Sequence, residues 1–233
     1  MLRRKWRLVL LAMAAAWMCG ALGMAQEVHN TLTEEEKAQG WRLLFDGKSL
    51  DGWRPTGKAA GWAVEDGTIT CLNQGGGYLC TTEEFADFEL RFEFRIAPRA
   101  NSGVRLRSVN PNNPMTRGLE VQILDSAGRK PTRTSCGAIY DCVAPAKDVC
   151  RPAGEWNSMT ILCRGSEIVV DHNGERIVQM DLDRWTTPNR NPDGTANKFP
   201  VAARDMPRKG CVAIQDHGGR IWLRNIKIRV LPR

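Results

Sequence analysis

The chain has 233 residues, 42% apolar and 25% charged, the balance of an ordinary globular protein with room for one or two domains. A mean hydropathy of −0.38 excludes a polytopic membrane protein. The formal charge of +7 suggests a nucleic-acid partner, but four of the basic residues, Arg3, Arg4, Lys5 and Arg7, stand at the extreme N-terminus.

Those four precede an apolar run from Leu8 to Trp17 and a small-residue site at Gly23-Met24-Ala25. This is the pattern of a secretory signal peptide over residues 1–25, cleaved after Ala25. The run is too short to span a bilayer comfortably. Cleavage takes the 33 Lys and Arg to 29, against 26 Asp and Glu, a net +3 that no longer argues for nucleic acid. The expected product is periplasmic or secreted, with no membrane span.

Cysteine use agrees with export. Seven of the eight cysteines follow Ala25, and no C-x-x-C pair occurs, so a zinc knuckle or thioredoxin site is not expected. Disulfides are the default in an oxidising compartment. Cys71 and Cys80 bracket Gly75-Gly76-Gly77 and form one candidate pair; Cys142 and Cys150 form a second. The odd count leaves at least one thiol free.

Residues 26–38 are expected to be an extension with one short helix. Thr33 as N-cap and Glu36 three residues later make a capping box, and Gly40 ends the run. Residues 39–233 then read as a single domain of strands. Phe88 to Ile96 alternates strictly, with Phe88, Leu90, Phe92, Phe94 and Ile96 on one side and Glu89, Arg91, Glu93 and Arg95 on the other. Val104 to Val109 and Leu119 to Leu124 alternate in the same way. Ser158 to Cys163 and Glu167 to Asp171 are two further strands. Asn173-Gly174 is a type I′ hairpin signal leading into Glu175 to Met180. Cys211 to Gln215 and Ile221 to Val230 complete roughly ten antiparallel strands, the count of a β-sandwich. Thr186 to Lys209, with four prolines and no period, reads as a long surface loop, either a lid or a plain insertion.

Four strands carry specific polar pairs opposite their apolar side: Glu93 with Arg95, Arg105 with Arg107, Glu120 with Gln122, and Gln215 with His217. Were they neighbours in one sheet, that face would suit a polyhydroxylated ligand. The plainer reading of each is a cross-strand ion pair. His217 precedes Gly218-Gly219 at a strand end, where functional groups concentrate. His29 and His172 read as incidental or structural, the first in a flexible segment. Asp125 ends its strand at a loop mouth, as a site or turn residue. Tyr140 and Asp141 are within plausible reach of a sugar. The motifs G-x-S-x-G, G-x-x-x-x-G-K-[ST] and H-E-x-x-H are all absent.

Several segments, in order, resemble one family. They are Leu44-Phe45-Asp46-Gly47, Leu50-Asp51-Gly52-Trp53, Trp62-Ala63-Val64-Glu65-Asp66-Gly67, Asp87 to Arg95, Asn101-Ser102-Gly103-Val104, Gly118 to Asp125, Cys136-Gly137-Ala138-Ile139-Tyr140, Gly154-Glu155-Trp156-Asn157, Ile214-Gln215-Asp216-His217-Gly218 and Arg224 to Ile228. From residue 39 to 231 the chain resembles the bacterial 3-keto-disaccharide hydrolases. The resemblance implies an all-β, two-sheet antiparallel jelly-roll sandwich, concanavalin-A-like or laminin-G-like. It also implies a sugar substrate already oxidised at C3.

A C3 ketone acidifies the C2 hydrogen. A base removes that proton, the enolate expels the C1 substituent, and water adds to the enone. The base should titrate near neutrality and an electrophile should face the C3 oxygen. His217 is the expected base at C2, with Glu120 as the other acid/base or as a cation ligand. Arg105 is the expected electrophile. Gln122, Gln215, Arg107 and Asp125 would bind substrate. Sandwiches of this type often carry calcium, for which Glu120 and Asp125 offer oxygens, although the sequence itself requires no cofactor. The competing readings are a non-catalytic carbohydrate-binding module and a partner-binding scaffold.

Overall fold

The computed structural model describes residues 29–232, so the expected signal peptide and its cleavage site lie outside the described residues. Helix α1 (Glu34–Ala38) is capped as expected: Thr33 Oγ1 accepts from Glu36 N at 3.1 Å, and Glu36 Oε2 accepts from Thr33 N at 2.9 Å. The preceding residues are fastened down, unlike the flexible segment expected. Arg224 Nη1 lies 2.8 Å from His29 Nε2, and Asn30 donates to Gly67 O and accepts from Asn225 N, both at 2.8 Å.

The described strands run in chain order as β1 (Trp41–Leu43), β2 (Trp53–Pro55), β3 (Trp62–Glu65), β4 (Thr68–Cys71), β5 (Tyr78–Thr81), β6 (Phe88–Ile96), β7 (Asn101–Ser108), β8 (Leu119–Leu124), β9 (Asn157–Arg164), β10 (Glu167–His172), β11 (Glu175–Asp181), β12 (Cys211–Gln215) and β13 (Ile221–Val230). They form two antiparallel sheets. The larger has the order β11-β10-β9-β6-β13-β4-β3, with β1 also on β13; the smaller has the order β2-β5-β12-β7-β8. Neighbours distant in sequence, such as β6 beside β13 and β5 beside β12, come from crossovers between the sheets, as in a jelly roll.

The period of two decides which side is buried. Phe88, Leu90, Phe92 and Phe94 of β6 meet Val104, Leu106, Leu119, Val121, Ile123 and Ile214 of the small sheet in one buried cluster. Each such side chain contributes about 1.5–3 kcal/mol by leaving water. The same parity sends Arg105, Glu120, Gln122 and Gln215 to the outer face of the small sheet. Glu93 and Arg95 do not join them, because β6 belongs to the other sheet. There Glu93 Oε2 accepts from Arg224 Nε at 2.7 Å, and Arg95 lies over the Trp222 ring at 4.6 Å.

The segment from Thr186 to Lys209 is more than an exposed insertion. Asn189 N donates to Phe199 O at 2.7 Å and Asn191 N to Thr195 O at 2.8 Å, closing it on itself. Phe199 is buried in the main core.

The expected disulfide partners are not neighbours, and the described cysteines are free thiols. Cys71 lies on the large sheet and Cys80 on the small one, so Gly75-Gly76-Gly77 links two sheets instead of closing a hairpin. Cys80 abuts Cys211, and Cys150 abuts Cys136 instead of Cys142. Burial pushes the Cys71, Cys142 and Cys163 thiols up to about 12.

Candidate active site

Strands β7 and β8 pair with Arg105 opposite Glu120 and Gly103 opposite Gln122, while β12 flanks the other side of β7. Arg105 Nη2 lies 2.8 Å from Glu120 Oε2, with the side chains 3% and 2% exposed. The same nitrogen donates to Tyr78 Oη at 2.9 Å, and Gln215 Nε2 donates to that hydroxyl at 2.9 Å. Arg105 Nε and Nη1 are buried and make no hydrogen bond among the described residues. They are unspent donors shut off from solvent, and a ligand would reach them only as the side chains that cover them move. Gly103 gives Glu120 its room: a Cβ there would stand 2.6 Å from Glu120 Oε1.

A chain of amides leads from Glu120 to His217. Paired with Arg105, the Glu120 carboxylate accepts hydrogen bonds only, so the neighbouring Gln122 amide must present its nitrogen. So turned, Gln122 donates to Glu120 Oε1 at 3.0 Å and to Ser102 O at 3.1 Å. Its oxygen then faces the Asn101 amide at 3.0 Å. Asn101 in turn is 3.0 Å from His217 Nδ1. With Asn101 donating to Gln122, its oxygen faces His217 and takes the Nδ1 proton, leaving the Nε2 lone pair of this exposed imidazole unused. Backbone bonds hold the turn in place: Asn101 N donates to Gly218 O at 2.6 Å, and Gly218 N to Asn101 O at 3.1 Å.

Two loops stand beside the ion pair. Residues 137–140 extend the sheet past β8, through Gly137 N to Gln122 O at 2.8 Å and Tyr140 N to Glu120 O at 2.9 Å. Lys198, from the long loop, places Nζ 3.4 Å from the Tyr140 ring centroid, and its backbone N donates to Asp141 Oδ2 at 2.8 Å. Arg117 Nη2 donates to Lys198 O at 3.1 Å. Desolvation holds both the Arg117 and Lys198 side chains below their usual pKa values, and the charge of Arg105 adds to the effect; Glu120 opposes it in both.

Two expected substrate contacts lie elsewhere. Arg107 is fully engaged, donating to Ala86 O at 2.6 Å, Gly165 O at 2.7 Å and Asp87 Oδ1 at 2.9 Å. Its left-handed φ of 51° marks the irregularity that turns it out of line with Arg105. Asp125 Oδ2 accepts from Arg99 N at 2.8 Å and closes the turn before β7. Glu120 and Asp125 are thus engaged separately. Tyr78, Asn101, Arg117 and Lys198 are the additions of the structure. Asn101 stood within a recognised segment, whereas Tyr78, on a four-residue strand, and the two loop cations carried no period to single them out.

A cavity of 530 Å³ lies on the other side of the molecule, lined by Glu93, Arg151, Trp156 and Arg224. Its aromatic face is already covered, with Arg224 3.9 Å from the Trp156 ring centroid.

Comparison with known proteins gives this face its context. The model of the 3-keto-alpha-glucoside-1,2-lyase-like domain matches residues 40–229. A 3-keto-disaccharide hydrolase from Bacteroides thetaiotaomicron is 27% identical over 230 residues, 83% of this chain and 79% of that one. A crystal structure of a candidate glycosyl hydrolase from Parabacteroides distasonis superposes with a TM-score of 0.73 at 33% identity, covering 82% of this chain and 99% of that one. A second from the same organism gives 0.74 at 27% identity, covering 88% and 100%. With the family model spanning most of its length and the same sandwich in its relatives, the chain belongs to the 3-keto-alpha-glucoside-1,2-lyase-like domain family.

Proposed function

We propose that the protein is an exported carbohydrate-active enzyme that cleaves 3-keto-glycosides by elimination and hydration. The observation that carries the reading is the amide chain His217–Asn101–Gln122–Glu120, ending in the Glu120–Arg105 ion pair, on one face of the small sheet. It supplies a base with a directed lone pair at one end and guanidinium donors at the other.

In this scheme His217 Nε2 removes the C2 proton. The electrons of the C2–H bond form a C2=C3 enolate, whose oxygen is stabilised by Arg105 through the donors it does not spend on the protein. The enolate re-forms the ketone, makes C1=C2 and breaks the C1–O bond, and the leaving oxygen takes a proton. Water then adds at C1 and a proton returns to C2. Glu120 holds Arg105 in place and, through Gln122 and Asn101, sets the imidazole tautomer. Gln215 and Tyr78 support the guanidinium and contact sugar hydroxyls.

A carbohydrate-binding module would instead need a bare aromatic platform. Trp41, Trp53 and Trp62 are buried, the half-exposed Trp156 and Trp222 lie on the large-sheet side beneath arginines, and the half-buried Trp185 packs against the core with its Nε1 donating to Asn191 Oδ1 at 2.9 Å. The test is turnover of a 3-keto-glucoside by the purified protein. Release of 3-keto-glucose, with the unoxidised glucoside inert, supports the reading; binding of the keto-glucoside without cleavage overturns it. In D₂O, elimination predicts deuterium at C2 of the product beyond that taken up by 3-keto-glucose incubated without enzyme.

A further inference from the structure

Away from this face, two thiols and an imidazole meet where the loop after β8 packs on β10. The ligand atoms of Cys136, Cys150 and His172 all lie within 4.8 Å of one another, with Cys136 and His172 buried and Cys150 half-buried. The cysteines come from the one loop between β8 and β9 and the histidine from the end of β10.

The hydrogen bonds around His172 determine which nitrogen is free. Asn157 Oδ1 accepts from Arg151 N at 2.8 Å and from Asn173 Nδ2 at 2.9 Å, so that atom is an oxygen. His172 Nε2 lies 3.0 Å from it and must therefore be the N–H donor. The lone pair is on Nδ1. That nitrogen would be 3.6 Å from a Cβ on Gly137, next to Cys136, so the loop lies in van der Waals contact with this side of the ring. An imidazole whose Nε2–H is held by an amide oxygen, with its other nitrogen turned to the loop that carries Cys136, is the arrangement of a metal-ligating histidine.

We propose that Cys136, Cys150 and His172 bind a thiophilic metal ion, zinc being the fitting one. The two sulfurs and one imidazole nitrogen exclude calcium or magnesium as the natural occupant. Tetrahedral zinc, with bonds of about 2.3 Å to sulfur and about 2.0 Å to nitrogen, sets its ligands roughly 3.5–3.8 Å apart, a contraction of at most about 1.0–1.3 Å from the 4.8 Å within which they lie. Water on the side of the half-buried Cys150 completes the shell. The ion would pin the loop that runs along β8, through Gly137 and Tyr140, against Gln122 and Glu120. Its role is structural, and it does not depend on the substrate assigned above.

The experiment uses the whole mature chain, purified with its thiols kept reduced, loaded with Zn²⁺ or Co²⁺ and passed over a desalting column. The expected result is one retained zinc per chain, thiolate-to-cobalt charge-transfer absorption with Co²⁺, and a higher Tm with zinc. Cys150→Ser and His172→Ala should each weaken zinc binding by more than about 100-fold, beyond the loss typical of an outer-shell partner. Cys150 is half-buried, so its variant keeps the test usable should His172→Ala not fold. Failure of the reduced protein to retain zinc overturns the proposal, as does unchanged affinity in the Cys150 variant. A Cys136–Cys150 disulfide in the isolated protein that reductant and zinc do not convert to a metal site overturns it too. None of these results bears on cleavage of a 3-keto-glycoside.

Discussion

Arg105 and Glu120 face each other across the β7–β8 ladder with Nη2 and Oε2 2.8 Å apart, and almost none of either side chain reaches solvent. Removing one partner of such a pair leaves the other charge buried, at a cost of about 3–5 kcal/mol, whereas an apolar replacement of both is often nearly neutral. Glu120→Gln and Arg105→Met should therefore each destabilise strongly, and the Arg105→Met/Glu120→Leu double variant by much less than their sum. Urea denaturation of the three variants measures this. Additive losses would mean that the two residues do not act as a pair.

His217 offers the opposite combination. It is exposed at the end of β12 and contributes little packing, so His217→Ala should leave stability within about 0.5 kcal/mol. Losing a general base should lower kcat by about 10²–10⁴-fold. Steady-state kinetics on a 3-keto-glucoside, beside a thermal melt, separates the two effects. Near-normal turnover would remove His217 from the mechanism.

Asn101 is a positioning residue between His217 and Gln122. Asn101→Ala should lower kcat by about tenfold or more with little change in KM, since the imidazole loses the acceptor that orients it. Its specific signature is spectroscopic. The ¹⁵N shifts of His217 should show a deprotonated Nε2 in the parent protein and a mixture of tautomers in the variant. A parent protein with the proton on Nε2 contradicts the relay as drawn.

The long strands were legible because each has one dry face, and a period of two over six to nine residues leaves little freedom of register. The same alternation placed Arg105, Glu120, Gln122 and Gln215 on a common side, but it does not tell which strands share a sheet. Glu93 and Arg95 could therefore be joined to the others only on the condition of a shared sheet; they lie in the other sheet, where Glu93 makes the plainer cross-strand ion pair with Arg224. Strands of three or four residues, such as β2 and β5, are too short for a period, and Tyr78 was missed with them. Cysteine spacing misled for a related reason. Cys71 and Cys80 are close along the chain but in different sheets, while Cys136, Cys150 and His172 meet only through packing of a loop on β10. The absence of C-x-x-C carries no information about ligands gathered in that way.

The composition of the loop bearing Lys198 fits either a lid or a plain insertion, and its contacts give the experiment that separates them. Lys198 reaches back to the Tyr140 ring, its backbone is tied to Asp141 and Arg117, and Glu120, Arg105 and Arg117 all act on its charge. These contacts bring a cation to the face where Arg105 and Glu120 are buried together. Lys198→Met keeps most of the stem and removes the charge. It should lower kcat/KM on a 3-keto-glucoside by about tenfold or more, a loss near 1.4 kcal/mol of transition-state stabilisation. Stability should change little, because Asp141 and Arg117 bond to the Lys198 backbone and those contacts survive the substitution. Measuring kcat/KM and Tm on the same preparation decides the point. Full activity in Lys198→Met would reduce the loop to a scaffold, and a large drop in Tm with no change in kcat/KM would give the lysine a purely structural part.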